Sequence, residues 1–393
     1  MMHATRGLSP SGQVDLDTKV LLDGTHRARQ AQQTWEIIKP LLPRYGVTRV
    51  ADLSGLDCIG IPVFAAMRPL SETLAVSQGK GASPILAKVS AAMECIELQH
   101  AERPNVPSIT GGTQLIAEHY PIESLPIRVD PRTFDNISLD WYLGTGLLSG
   151  QKIPVPALLV INSWATGHDW KPNLFNVGSN GLASGNTVTE AALHALYEVI
   201  ERDVVSTLHE GGNDVRIHID PKSIPSGHCS EFVRKLDAAG VELELAMIPN
   251  RFGIATAAAF IWSHEYPAVC AGSGSHSDPL VAVSRAISEA VQSRLTHISG
   301  TRDDIESYLD AFDVQRDSPG LRTTGMSWHQ AVEGMGFAET SLSRELDRVA
   351  HLVKGNSGYE PIMVDLSSQP DVFSVCKVVC PGLGHQHRGY VPR

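Results

Sequence analysis

The stretch from Ser77 to Glu97, "SQGKGASPILAKVSAAMECIE", joins a glycine-rich polar segment to a long and mostly apolar helix, predicted over about residues 84–101. Glu94 and Glu97 are three residues apart on this helix, and Ser90 precedes Glu94 by four, so the three side chains share one face. Apolar surroundings predict burial, where carboxylates are costly unless they are paired or bind a metal. This polar stripe therefore needs an explanation.

The same pattern, Ala-x-x-x-Ala-x-x-Glu-x-x-Glu/Gln, occurs three times. Offsets of 104 and 195 residues place the first copy on predicted helices at about 188–208 and 280–298. The matching residues are Ala87, Ala91, Glu94 and Glu97; Ala191, Ala195, Glu198 and Glu201; and Ala282, Ala286, Glu289 and Gln292. Each copy follows a glycine-rich segment: "SQGKGAS", "SNGLASGNT" or "GSGSHSDP". A repeat indicates architecture first, and alanines four apart indicate close helix packing.

The acidic positions belong either to solvated helix faces or to a shared site, and their repetition favours a site. Carboxylates three apart on a helix suit hard cations such as Mg²⁺. Glycine-rich segments that lead into helix N-termini suit phosphate, because free backbone N–H groups and the helix dipole attract anions. Together these features predict a magnesium–nucleotide site between several helices.

Several residues near the stripes have two possible roles. "QGKGAS" lacks the spacing of a Walker A motif, so it is either a flexible turn or a phosphate contact made through Lys80. Arg202 and Arg285 either contact phosphate or pair with a carboxylate. His194 takes the place of Ser90 in the second copy, and we favour a packed histidine there over a ligand. No catalytic residue is assigned.

Composition excludes several classes. The 393 residues, with 42% hydrophobic and 19% charged content, predict a soluble globular protein. A net charge of −11 argues against nonspecific nucleic-acid binding. No apolar run is long enough for a membrane span and no secretory signal is present, so a cytoplasmic location is expected. The six scattered cysteines predict neither a zinc site nor disulfides, and Cys376 and Cys380 are expected to be core thiols.

Alternating strands and helices predict an α/β protein. We expect an N-terminal extension over residues 1–60, with about the first 17 residues disordered, and one main domain over residues 61–393. A helix is expected at about 29–42. "KIPVPALLVI", which begins at Lys152, is expected to be a strand.

The stretch quoted first, together with "SNGLASGNTVTEAALHALYEVIERD", "SRAISEAVQSRLTHISGTRDD" and the end "GHQHRGYVPR", resembles the YcaO family of ATP-using enzymes. The resemblance implies a YcaO-type fold of repeated α/β modules around a central nucleotide site. It also implies a reaction in which a nucleophile adds to a backbone amide of a ribosomally made peptide. ATP phosphorylates the amide oxygen, which then leaves. An internal Cys, Ser or Thr gives an azoline, and a sulfide equivalent gives a thioamide.

Site residues follow from the family motifs by position. The resemblance implies ATP contacts from Ser77, Lys80, Ser90, Glu94, Glu97, Asn186, Glu190, Arg202, Arg285 and Gln292. It implies Mg²⁺ contacts from Glu94, Glu97, Glu190, Glu198 and Glu201. Further candidates are His26, Arg27, His100, His194 and Glu289. Leu98 replaces the family's arginine, so His100 or Arg103 would have to supply its charge.

The beginning of the chain, "DGTHRARQAQQTWEIIKPLLPRYGVTRVADLSGLD", looks most like YcaO proteins that work with a TfuA partner. That subgroup implies thioamide formation, with His26 and Arg27 of "GTHR" in either a site or a structural role. The tail has only Pro392, whereas azoline-forming members commonly end in Pro-x-Pro-x-Pro. An azoline-forming cyclodehydratase and a nonenzymatic nucleotide-binding scaffold are the alternatives. Peptide recognition would rest on a partner or on the protein surface, and a homodimer is compatible with the sequence.

Overall fold

The computed structural model describes residues 16–165, 173–210, 215–302, 318–369, 372–384 and 391. The disorder expected at the start of the chain falls mainly on residues 1–15, outside the described residues. The tail with Pro392 also lies outside them.

The described residues form a mixed α/β fold, which confirms the predicted class. The strands are β1 Val20–Leu22, β2 Thr25–Arg27, β3 Arg49–Asp52, β4 Val63–Met67, β5 Val76–Lys80, β6 Ser108–Gly111, β7 Leu139–Gly146, β8 Lys152–Pro156, β9 Leu182–Gly185, β10 Ile217–His218, β11 Glu242–Met247, β12 Ala255–Trp262, β13 Cys270–His276, β14 Ile362–Asp365 and β15 Ser374–Val379. The helices are α1 Ala31–Ile38, α2 Pro84–Glu102, α3 Ala157–Val160, α4 Val188–Glu210, α5 His228–Ala238, α6 Pro279–Ser299, α7 Trp328–Ala331 and α8 Leu342–Ser357.

Antiparallel ladders organise the strands into a hairpin and three sheets. β1 and β2 form the hairpin. The sheets have the orders β3-β4-β5, β10-β11-β12-β13 and β6-β7-β14-β15-β9, and β8 pairs with β7 in the last of these. The strand expected at "KIPVPALLVI" ends at Pro156, and the rest of that run begins α3, so the prediction was half wrong. The expected first helix is α1 followed by 3-10 turns over Lys39–Tyr45, two of whose residues are prolines.

Part of each glycine-rich segment forms a strand, and the residues after that strand lead into the helix. The expected phosphate contacts stay a prediction. Each of β5, β9 and β13 leads within a few residues into one of the long helices α2, α4 and α6. A Cβ placed on Gly79 of β5 would lie 2.0 Å from the backbone nitrogen of Ala91 and 2.4 Å from the oxygen of Ala87. Gly185 and Gly272 meet α4 and α6 in the same way. The repeated alanines therefore let a helix backbone lie directly on a glycine-containing strand.

These three strand–helix modules close into a ring. Each long helix packs on its own strand and also on the strand of the next module: α2 on β9, α4 on β13 and α6 on β5. Because the third module returns to the first, the stripes on the three helices surround one centre. The repeat in the sequence is thus a cyclic arrangement of modules.

The N-terminal residues are attached to this ring. β3 pairs with β4, so sheet hydrogen bonds cross position 60, where the extension was predicted to end. That boundary stays a prediction. Among the described residues, no helix combines the length and apolar character needed to cross a membrane. Cys376 and Cys380 are buried free thiols, as expected.

Candidate functional site

The second acidic position of the repeat, held by Glu97, Glu201 and Gln292, joins neighbouring modules. Ser184 of β9 donates to Glu97 Oε1 from its backbone nitrogen at 2.9 Å and from its hydroxyl at 2.5 Å. In the other modules, Ser273 Oγ and the Ser275 backbone nitrogen donate to Glu201, and Gln292 Nε2 donates to the Gln78 carbonyl oxygen. Each side chain therefore fastens its helix to the strand of the next module.

The first acidic position of the repeat is held by Glu94, Glu198 and Glu289. Burial raises the pKa of Glu94 to about 7, against the opposing effects of Lys80 and Arg302. Burial also raises the pKa of Glu198 to about 7, although Arg202 lowers it. Within the described residues neither carboxylate accepts a hydrogen bond. These two groups are only partly ionised at neutral pH unless a cation joins them.

Glu289 differs because it has a direct cationic partner. Lys80 Nζ lies 2.8 Å from Glu289 Oε2. Burial raises the pKa of Glu289, but Lys80 and Arg202 together lower it by more than burial raises it, so the pKa of Glu289 lies below its ordinary value. Lys80 of β5 therefore reaches the stripe of the third module.

Burial, followed by the neighbouring Glu94 and Glu198, raises the pKa of Glu97 to about 8, although hydrogen bonds from Ser184 oppose the shift. The carboxylates of the first two modules thus repel one another across the centre. A divalent cation would relieve this repulsion, and oxygen donors are the ligands that Mg²⁺ prefers.

Sequence reasoning missed two cations. Lys377 is buried in β15, and its Nζ donates to the Gly178 carbonyl oxygen at 2.7 Å. Burial lowers the pKa of Lys377 to about 8, although the nearby Glu198 carboxylate raises it. The second is Arg302, just after α6, whose charge lowers the pKa of Glu94. The signal for Lys377 was a lone lysine inside the apolar strand "SVCKVVC".

The cations proposed to replace the family's arginine lie elsewhere. Leu98 is buried in the core. His100 bonds through Nδ1 to the Ile96 carbonyl and through Nε2 to Ser368, and it packs against aromatic rings. Arg103 is 81% exposed and pairs with Glu72. These positions correct the expectation that His100 or Arg103 compensates for Leu98.

Asn186 and Glu190 form a flank of the site that faces the N-terminal segment. Asn186 Nδ2 lies 3.1 and 3.2 Å from the two Glu190 oxygens, and the Ala28 backbone nitrogen donates to Glu190 Oε2 at 2.7 Å. Arg27 Nε is 3.8 Å from Glu190 Oε1, and Thr34 donates to Asn186. Arg27 of the "GTHR" segment thus lies beside these two predicted site residues.

Arg285 connects the stripes to a group of histidines. Its guanidinium donates to the Ser275 carbonyl and lies 3.4 Å from His194 Nδ1. Burial and the nearby Arg27 lower the pKa of Arg285 to about 10. His26 lies beside Asp278 and its ring meets the His276 ring edge-on at 4.8 Å.

The two serines differ in position. Ser90 is half-buried on the α2 stripe. Ser77 is 1% exposed inside β5, beside Cys95 of α2, so it is less open to a ligand than Ser90. The predicted site residues other than Ser77 and His100 therefore lie on the stripes or on segments that contact them.

In the described part of the chain, no three His, Cys, Asp or Glu side chains converge as a ready metal cage. Mg²⁺ usually keeps several waters and binds through one or two carboxylates together with substrate phosphates. The acidic stripes with raised pKa values and the surrounding cations fit that mode of binding. They define a class of protein: a ring of α/β modules whose centre suits a nucleotide accompanied by a divalent cation.

The chain belongs to the YcaO family. The family model, described as YcaO cyclodehydratase, ATP- and Mg²⁺-binding, matches residues 78–384. An uncharacterised protein of Mycobacterium tuberculosis is 36% identical over 378 residues, which cover 95% of this chain and 85% of that protein. An uncharacterised protein encoded in the tfuA 3′ region of Rhizobium leguminosarum bv. trifolii is 36% identical over 383 residues, covering 91% and 88% of the two chains.

Solved structures agree on the fold. YcaO from Methanopyrus kandleri, bound with AMPPCP and Mg²⁺, is 24% identical, with a TM-score of 0.69 over 93% of this chain and 95% of that chain. A heterocyclase in complex with substrate and cofactor is 17% identical, with a TM-score of 0.76 over 95% of this chain. This chain spans 54% of that heterocyclase.

Proposed function

We propose that the protein uses ATP and Mg²⁺ to activate a backbone amide in a ribosomally made peptide, giving a thioamide together with a TfuA-like partner. The observation that carries the proposal is the ring of stripes. There, Glu94 and Glu198 lie near several cations but accept no hydrogen bond from the described residues. Bound Mg-ATP would supply the phosphoryl group that turns the amide oxygen into a leaving group.

The residues present fit the parts of such a site. Glu94, Glu97, Glu190, Glu198 and Glu201 are the proposed oxygen donors for Mg²⁺. Lys80, Arg27, Arg202, Arg285 and Lys377 are the cations available to phosphate oxygens. Arginine suits this task because its planar group can donate two parallel hydrogen bonds to a phosphate.

The relative encoded in a tfuA 3′ region supports the thioamide version. The family's description as cyclodehydratase supports the alternative, an azoline formed from Cys, Ser or Thr. The test is incubation with ATP, Mg²⁺, a sulfide source, the partner and the cognate peptide, followed by mass spectrometry. Replacement of one oxygen by one sulfur supports the thioamide, and loss of one water supports the azoline. Tight ATP binding without either change supports the nonenzymatic scaffold.

The site assignment has its own test. Replacing Glu94 with Gln, or Glu201 with Gln, should lower ATP turnover by about 10–100-fold, since a charged group near the metal becomes neutral. Glu36→Gln on the exposed face of α1 is the matched control and should leave turnover unchanged. Unchanged turnover in both site variants would remove the assignment.

A further inference from the structure

His194 of α4 lies at the middle of the second stripe. It follows Glu190 by one turn and precedes Glu198 by one turn, in the position that Ser90 holds in α2. Its side chain is half-buried. The function proposed above leaves this imidazole without a role.

The two ring nitrogens of His194 have different surroundings. Arg285 Nη2 lies 3.4 Å from Nδ1. A guanidinium only donates hydrogen bonds, so Nδ1 accepts and the ring proton is on Nε2. No described residue bonds to Nε2, and Nε2 is not one of the fully buried polar atoms that lack a partner, so this nitrogen is accessible to a ligand.

The charges around His194 keep it neutral. Burial, followed by Arg285, Arg27 and Lys80, holds the pKa of His194 well below its ordinary value. The carboxylates of its own helix face, Glu190 and Glu198, lie one turn away on either side. A neutral imidazole whose Nδ1 accepts from Arg285 carries its proton on the accessible Nε2, and it offers no lone pair at that nitrogen.

We propose that His194 donates a hydrogen bond from its neutral Nε2–H to the oxygen of the substrate's backbone amide as that oxygen becomes negative. This role rests on the proposed function. When a hydrosulfide-like anion adds to the amide carbon, a carbon–sulfur bond forms and the carbonyl π pair moves to oxygen. The sulfur keeps its proton, and the new oxyanion accepts the hydrogen bond from His194.

The chemistry of the neighbours favours the amide oxygen over a phosphate. Phosphate oxygens are negative before and during the reaction, and Lys80, Arg27 and Arg285 are the proposed partners of such charges. A neutral hydrogen-bond donor lowers the activation barrier most where an oxygen is neutral in the substrate and charged in the transition state. Neutral histidines polarise carbonyl groups in this way in other enzymes.

Two variants and one control test the proposal. His194→Ser introduces the residue of the first module, whose hydroxyl is too short to replace Nε2–H. His194→Gln keeps an N–H donor at nearly the same reach. His228→Gln is the control, since burial lowers the pKa of that histidine too but it faces Asp23 on the hairpin.

For His194→Ser we expect kcat for amide modification to fall by about 10²–10³-fold, the usual effect of losing one oxyanion donor. ATP affinity by calorimetry should stay within about twofold, because the role concerns the amide. His194→Gln should recover most of the rate, and neither variant should change the shape of the pH profile. Nitrogen-15 spectra of labelled protein should show His194 with a bare Nδ1 and a protonated Nε2 that does not titrate near neutral pH.

Four outcomes would overturn the proposal. Two concern His194→Ser: a rate close to that of the control, or a loss of ATP affinity that matches the loss of rate. The other two are a His194→Gln variant as slow as His194→Ser, and a His194 ring in the wild-type protein that titrates near pH 7. The wild-type protein tests the proposed function separately. If it binds Mg-ATP but modifies no peptide, the proposed function is refuted, and the role of His194 that rests on it is refuted as well.

Discussion

Replacing Glu97 with Gln should make the ligand-free protein more stable. In the folded chain this carboxyl has a pKa of about 8, while in the unfolded chain it ionises near its ordinary value of 4.5. Above pH 4.5 the folded state therefore binds more protons than the unfolded state, and stability falls as the pH rises toward 8. Glutamine cannot ionise, so it avoids this loss.

The structure also indicates that glutamine fits. Both hydrogen bonds from Ser184 go to Oε1, which a glutamine retains. In the third module the equivalent residue is already glutamine, Gln292, and it bonds to the next strand. The 2.5 pH units between 4.5 and 7 correspond to a gain of about 3 kcal/mol in the free energy of unfolding at pH 7. At pH 5 the gain should be under about 1 kcal/mol.

Urea unfolding in chelator, without nucleotide, at pH 5 and pH 7 measures this difference. The control is Glu102→Gln on the same helix. Burial alone would raise the pKa of Glu102, but Arg68, Ser71 and the Glu72 backbone nitrogen outweigh burial and lower it. Removing one partner of this buried pair should cost about 3–5 kcal/mol. A Glu97→Gln protein that is no more stable than wild type at pH 7, or a gain equal at both pH values, refutes the reasoning.

Three further predictions follow from the site and the ring. Binding of Mg-ATP at pH 7 should release about one to two protons, because the stripe carboxyls with raised pKa values then ionise. Calorimetry in buffers of different ionisation enthalpy measures this proton release, and no release would contradict the raised pKa values. Lys377 lowers the pKa of Glu198, so Lys377→Met should raise that pKa. The variant should also bind Mg-ATP about tenfold more weakly, as measured by calorimetry, and unchanged affinity would show that Lys377 acts elsewhere. Gly79→Ala should destabilise the protein by several kcal/mol in urea unfolding, because the new Cβ would lie 2.0 Å from the Ala91 nitrogen. Gly355→Ala, inside α8 with open space around it, should instead add about 0.5–1 kcal/mol, and equal effects of the two alanines would contradict the packing argument.

Sequence periodicity was sufficient to find the three long helices and their shared stripe. It could not show that the preceding segments contain strands, because glycine, asparagine and lysine have low strand propensity. β5, for example, is a strand because it pairs along its length with β4, and Gly79 lets α2 lie directly on it. That contact exists only in the folded chain.

The two acidic positions of the repeat also looked alike in the sequence. The structure separates them because the partner of Glu97 lies on β9 and the partner of Gln292 lies on β5, far away along the chain. One signal was present: the third copy is neutral at this position, whereas the first acidic position is Glu in every copy. For joining the modules a hydrogen bond at this position is sufficient, and the charges of Glu97 and Glu201 concern the proposed metal site instead. Lys377 was missed for the same reason, since its carboxylate neighbour, Glu198, belongs to α4.

The contacts between glycine strands and alanine helices have a consequence for how this chain can diverge. Main-chain atoms fix the distance from each helix to its strand, so the spacing of the three stripes hardly depends on the shapes of other core side chains. Residues outside these contact points can be exchanged, and outer surfaces rebuilt for different partners, without moving the helices that carry the carboxylates. A heterocyclase only 17% identical to this chain still superimposes on 95% of it.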